Sequence, residues 1–253
     1  MTRPSFTKHY AKPERAAEAV RHYRWLTAHA EPLRLPALYT VGPDSLTFER
    51  IEGRSVGPED LPRVAGLLGH VHGAAWISDL RFASLDTPHH FQDGTTFDDY
   101  LGPRQLALRR RHEQGYLPNK VALYAMSDLL EETARGPWAF YKDSNPRNFI
   151  VTGTGDIVAV DTDDLSLAPM AYDLAKLIAT LHLTYGPLTD RAVDAALLVY
   201  NAAARRHDAR LGTTDRSQLD NFVVLHAVLT APYVGRNGYR YSLPLRFSHR
   251  GAS

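Results

Sequence analysis

The chain has 253 residues, enough to bury a sizeable core and suited to one domain of two lobes or to two small domains. Its formal charge of +1 sets up no field for nucleic acid or a membrane surface, no basic run reaches the length of a binding arm, and no apolar run is long enough to span a bilayer. Cysteine is absent, which excludes disulfides, thiolate metal sites and a thiol nucleophile and fits a reducing cytoplasm; the first residues lack the apolar core of a signal peptide.

Residues 5–10 read as a strand that contains Lys8. Pro13 then opens a helix in which Ala16, Ala19, Val20, Tyr23, Leu26 and Ala30 form an apolar stripe at helical spacing. Glu14 falls in its first turn, where the helix dipole favours an acid, and Glu18 lies mid-helix on the flank of the stripe. Residues 46–55 read as a strand running through Glu49, Arg50 and Ile51 into a glycine. Residues 58–73 predict a helix with Leu61, Val64, Leu67, Leu68 and Val71 on one face, and His72 is expected to be a packed polar residue. Two more helices are expected over 97–114 and 121–135.

The segment that follows carries the chemistry. In Phe140-Tyr-Lys-Asp-Ser-Asn-Pro-Arg-Asn-Phe149, Asp143 and Asn148 stand five apart in a loop. This is the spacing of the kinase pattern D-x-x-x-x-N, in which the acid takes a proton from the acceptor hydroxyl and the amide holds a metal. Two β-branched runs, 149–152 and 156–160, are joined by Gly153-Thr-Gly155, a tight-hairpin signal. A hairpin would bring Asn148, at its entry, beside Asp161, at its exit, as two oxygen ligands suited to Mg²⁺. Asp163 is a further candidate for metal or water. Each residue alone is an ordinary turn former; the constellation points to phosphoryl transfer.

Downstream, Asp173-Leu-Ala opens a helix, and helices are expected over 187–206 and 216–231. Asp98, Asp99, Glu131, Glu132, Asp190 and Asp194 are available to a cationic acceptor, although a solvated helix face explains most of them as well. Residues 233–241, with Arg246, His249 and Arg250, are basic and aromatic, suited to an anionic or planar acceptor or to a loosely docked terminus. No H-E-x-x-H, G-x-S-x-G or internal repeat is present.

On these residues the chain resembles the aminoglycoside phosphotransferase and choline kinase-like group, small-molecule relatives of protein kinases. Of the group's H-G-D-x-H-P-x-N loop it keeps Asp143, Pro146 and Asn148, while Tyr141, Lys142 and Asn145 replace the other three residues. The resemblance implies an α+β, protein-kinase-like fold with a reduced N-terminal β lobe over 1–54 and a mainly helical C-terminal lobe over 55–253. It implies transfer from ATP or GTP, with Mg²⁺, to a hydroxyl of an antibiotic, amino alcohol or sugar-like molecule. Asp143 would be the base, and Asn148 and Asp161 the metal ligands. Lys8 would steady the phosphates, with Glu18 as its partner, and the main chain of Glu49, Arg50 and Ile51 would meet the base of the nucleotide. Lys142 would lower the pKa of Asp143 or contact a phosphate, and Asn145 would donate a hydrogen bond. Asp173 would hold the loop through backbone N–H groups or cap its helix.

The pattern breaks at the start. Seven residues precede Lys8, and neither G-x-G-x-x-G nor G-x-x-x-x-G-K-[ST] occurs, so the glycine flap expected over the phosphates is not found. A start further upstream, a looser hold on nucleotide, or a second copy of the chain covering the site in a homodimer would account for this. A module that binds without turnover would as well.

Overall fold

The computed structural model describes residues 4–243. Its first part is an antiparallel sheet of β1 (Ser5–His9), β2 (Leu38–Val41) and β3 (Ser45–Glu49), ordered β1-β3-β2, with Lys8 opposite Leu46. Helix α1 (Pro13–His29) lies between the first two strands in sequence, with its proline in the first turn, where no intrahelical N–H is lost. Ala19 and Val20 pack on Leu46, and Tyr10, Leu38 and Phe48 close this small core. The opposite flank of α1 buries Trp25, Leu26 and Ala30 in the main core, where Trp25 meets Phe97 and Phe140 edge-on at 4.6 and 5.6 Å. The expected stripe is therefore corrected at two places. Tyr23 stays half-buried, its hydroxyl donating to the Pro36 carbonyl at 2.8 Å, and the polar His22 goes inside in its stead.

After the two-residue strand β4 (Arg54–Ser55), α2 (Leu61–Ser78) buries Leu61, Val64, Leu68 and Val71 and runs five residues beyond the expected end. The strands β5 (His89–His90) and β6 (Thr96–Phe97) pair with each other, so α3 (Leu101–Glu113) begins later than its apolar pattern suggested. Asn119 caps α4 (Lys120–Thr133) by accepting from the Ala122 N–H.

Four strands then frame the loop of interest: β7 (Trp138–Tyr141), β8 (Phe149–Val151), β9 (Ile157–Ala159) and β10 (Ser166–Pro169). β8 and β9 form the expected hairpin, with Phe149 opposite Ala159 and a left-handed Gly155 (φ +87°) in the turn. β7 pairs with β10, and β4 pairs with β8. Residues 142–148 and 160–165 are consequently pinned at both ends by paired strands and run side by side.

Behind them lies α5 (Tyr172–Tyr185), buried along most of its length. Thr189 and Asp215 cap α6 (Asp190–Arg205) and α7 (Arg216–Thr230). α2 packs along α6 so closely that a Cβ at Gly69 would lie 2.3 Å from the Tyr200 carbonyl oxygen. Only a residue without a side chain permits that approach. His72 is buried as expected, its Nδ1 2.8 Å from the Tyr200 hydroxyl. Among the described residues no helix is long and apolar enough to cross a membrane.

Candidate active site

The strand ends converge on a loop that separates two cavities. Asp143 and Asn145 line one of about 570 Å³, Asn148 and Asp161 line the other of about 470 Å³, and Arg147 borders both. Asp143 and Asp161 are both left-handed, each at φ +58°, a conformation that Asp and Asn tolerate better than most residues. Three hydrogen bonds stabilise the loop. The Asn145 amide oxygen caps the turn at Arg147 N, 3.0 Å away; the Asn148 Nδ2 donates to the Asp143 carbonyl at 2.9 Å; and Val160 N donates to the Asn148 carbonyl at 2.9 Å.

Asp173 is fully buried and accepts from the N–H groups of Ser144 (2.7 Å) and Lys142 (3.3 Å). It thus holds the loop from behind, at the head of α5. Burial pushes its carboxyl above the ordinary range despite these bonds. Lys142 also points inward. Its ammonium lies 4.3 Å from the Phe149 ring centroid without a hydrogen-bond partner among the described residues, and burial pulls its pKa down. Lys142 lines neither cavity, which corrects one of its two expected roles, contact with a phosphate. Asn145 does donate, through Nδ2, to the Tyr239 hydroxyl at 3.1 Å.

Asp143 Oδ1 accepts from the Tyr141 hydroxyl at 2.9 Å and from the Lys176 ammonium at 3.0 Å. Burial alone would raise its pKa; Lys176, with Tyr141, outweighs burial and holds the carboxyl below its ordinary value. It is therefore an ionised acceptor facing the larger cavity. Lys176 was not among the sequence candidates. A lysine in the otherwise apolar run Leu174-Ala-Lys-Leu-Ile178, one helical turn from Asp173, was the signal that could have found it. Lys176→Met is expected to move the acid limb of the kcat/KM–pH profile to higher pH, because the cation that lowers the pKa of Asp143 is removed. A limb that stays in place would detach Lys176 from the base.

On the other side, the Lys8 ammonium bridges Asp161, at 2.5 Å, and Asp163. These two partners outweigh burial and raise its pKa. The Tyr10 hydroxyl donates to Asp163 at 3.1 Å. The expected Lys8–Glu18 pair is not formed. Glu18 accepts from Arg15, one turn away, at 2.6 Å, and lines the larger cavity, whereas Lys8 lines the smaller one. Arg15 also pairs with Asp164, and the buried His22 sets its ring nitrogens against the carbonyls of Asp163 (2.5 Å) and Thr96 (3.2 Å). Sequence reading missed His22, whose position among apolar helix residues was the only hint.

Among the described residues no three His, Asp or Glu side chains gather as a complete metal cage. Asp161 and the Asn148 Oδ1, whose amide nitrogen is already engaged, make instead a two-oxygen edge suited to a hard cation that takes its other ligands from phosphate and water. The Lys8 ammonium sits between Asp161 and Asp163, beside that edge. The smaller cavity has mostly apolar walls, including Phe6, Phe48, Ile51, Ile150 and Val160. The N–H groups of Glu49 and Arg50 already serve the carbonyls of Ala37 and Pro4, at 2.8 and 3.1 Å. This narrows the expected main-chain contacts: of the three residues, Ile51 alone has an N–H without a partner among the described residues. Of the tail, Arg246, His249 and Arg250 lie outside the described residues, while Tyr239 is buried against the loop.

A two-lobed α+β body with a D-x-x-x-x-N loop between two cavities defines a protein-kinase-like phosphotransferase. Residues 4–211 match the phosphotransferase enzyme family, and the chain belongs to it. The structure is similar to the choline kinase of Streptococcus pneumoniae, with a TM-score of 0.61 and 13% identity over 89% of this chain and 74% of that one. It is similar to an aminoglycoside-3'-phosphotransferase of type VIII, at 0.56 and 16% over 89% and 84%, and to an amicoumacin kinase solved with AMP-PNP and Ca²⁺, at 0.55 and 12% over 89% and 72%. At these identities the likeness is one of fold. No curated relative matches the chain.

Proposed function

We propose that the protein transfers the terminal phosphoryl group of ATP, as its Mg²⁺ complex, to a hydroxyl of a small molecule in the cytoplasm. One observation carries this reading: the segments 143–148 and 160–165 set the ionised Asp143 against one cavity and the side chains of Asn148 and Asp161 against the adjoining one. The larger cavity would take the acceptor and the smaller one the nucleotide, with the region up to residue 54 as the nucleotide-side lobe. The base would lie near Phe48 and Ile51, and Lys8 would turn its charge to the phosphates. Asp143 would orient the acceptor hydroxyl and receive its proton as the new O–P bond forms and the bond to the departing ADP breaks. Asn148 and Asp161 would hold the metal, which when bound neutralises charge on the phosphates.

Stabilisation by nucleotide and metal tests this reading. Mg²⁺ with ATP is expected to raise the Tm by several degrees, since ligand at about a hundred times its Kd contributes about 2.7 kcal/mol. GTP and ADP serve as comparisons. No shift with any Mg²⁺-nucleotide would sink the reading. A second reading, a nucleotide-binding module without turnover, is favoured by Lys8 pairing with Asp161 and Asp163 rather than Glu18. A nucleotide shift without ADP formation across a broad set of hydroxyl compounds would support it.

A further inference from the structure

We propose that the acceptor bears an oxyanion, a carboxylate or a phosphate, beside the hydroxyl that is phosphorylated, and that Arg104, Arg111 and Arg147 receive it. The inference rests on the phosphoryl-transfer reading and assigns the charge of the molecule in the larger cavity.

Arg104 carries the argument. It lines that cavity, is 7% exposed, and sits in a box of tyrosines, 4.6, 4.8 and 5.1 Å from the ring centroids of Tyr100, Tyr172 and Tyr141. Its hydrogen bonds go to neutral atoms, the Tyr100 carbonyl at 3.0 Å and the Ser166 hydroxyl at 3.3 Å. Burial raises the pKa of all three tyrosines, so their phenols supply no countercharge. Among the described residues no carboxylate lies within salt-bridge distance, and residues 1–3 and 244–253 contain no Asp or Glu. A buried cation without an anion is costly, and the ring faces return only part of that cost.

The rest of the wall has the same sign. Arg111 is half-buried and bonded to the Leu229 carbonyl and the Gln114 side chain; Arg147 lies 5.5 Å from the Tyr239 ring centroid and reaches the Asn145 side chain. Neither meets a carboxylate among the described residues. Of the acids of the cavity, Asp143 is paired with Lys176, and Glu18 and Asp164 share the single Arg15; with the exposed Asp98 they set four carboxylates against the five cations of the wall, Arg15, Arg104, Arg111, Arg147 and Lys176. An aminoglycoside or choline would bring more positive charge to a wall whose cations already outnumber its carboxylates, whereas guanidinium forks match the paired oxygens of a carboxylate or phosphate.

A matched series of sugars separates charge from shape: gluconate and glucose 6-phosphate against neutral glucose and cationic glucosamine. Binding is measured by calorimetry without nucleotide, and ADP release with Mg²⁺-ATP. The anions are expected to bind at least about tenfold more tightly than glucose or glucosamine, and the stronger of the two anions identifies the group. Arg104→Gln and, at the exposed position, Arg147→Gln are each expected to weaken them by about tenfold. Glucosamine binding as well as the anions, or anion affinity unchanged in both variants, would overturn the proposal. Anion binding without ADP release would keep the oxyanion site and remove the transfer reading. Nucleotide binding without anion binding would do the reverse.

Discussion

Asp161→Asn is expected to fold like the parent and to lose turnover by about a thousandfold, the scale on which a preorganised electrostatic stabiliser of a transition state is felt. The side chain is exposed and keeps its shape, and Asn accepts the left-handed backbone found there at φ +58°. The lost ion pair with Lys8 is largely solvent-exposed and worth at most about 1 kcal/mol. A change in Tm of a few degrees or less, beside vanished ADP formation, is the expected pair of results. Asp143→Asn should retain more activity, because a loose phosphoryl-transfer transition state depends more on charge neutralisation than on the base. An Asp161→Asn enzyme with most of its activity intact would remove the metal assignment.

Acidification below pH 6.5 is expected to destabilise the protein through two buried histidines. His72 and His226 are fully buried, and burial, reinforced by the Lys142 charge for His72 and the Lys176 charge for His226, holds both neutral. The pKa of His72 falls to about 3, from 6.5 in an open chain; that of His226 falls well below the same value. In the unfolded chain both bind protons below pH 6.5, whereas in the fold they do not, so stability is lost as pH drops through that window. The slope is about 1.4 kcal/mol per pH unit for His72, or ~3 kcal/mol two units down, and His226 acts in the same direction, against a typical total of ~5–15 kcal/mol. Asp173 works the other way: its raised pKa means that protonation stabilises the fold as pH falls toward the unfolded value of 3.8. The two histidines act together against this one carboxyl. Urea denaturation between pH 7.5 and 4.5 measures this, and His72→Gln should flatten the pH dependence. A midpoint independent of pH across that range would refute it.

What the sequence made legible was local. The loop, the hairpin and the Asp173 helix rest on short-range rules of turn and strand chemistry, and those rules alone put Asn148 beside Asp161. Helix starts were legible to within three residues where Asn119, Thr189 and Asp215 cap them. They were not where a neighbour intervenes, as when Thr96 and Phe97 pair with His89 and His90. Contacts between distant segments were the illegible part. Lys8 took Asp161 and Asp163, more than 150 residues away, over the nearby Glu18, because α1 turns that acid toward the other cavity. Arg104, on a helix of ordinary charged appearance, gave no sign in sequence of the tyrosine box around it.

The division of the core in two has a consequence for where order resides. The sheet that carries Lys8 and Phe6 is held by a cluster of three buried residues, while Asn148 and Asp161 belong to a segment framed by the main core. Regions with few buried apolar contacts open at a lower free energy than the rest of a molecule. The two walls of the smaller cavity are thus expected to differ in local unfolding free energy, with the amides of β1 exchanging with solvent more readily than those of β8 and β9. Any molecule bound there must bear the entropy of quieting one wall while meeting the other already at rest.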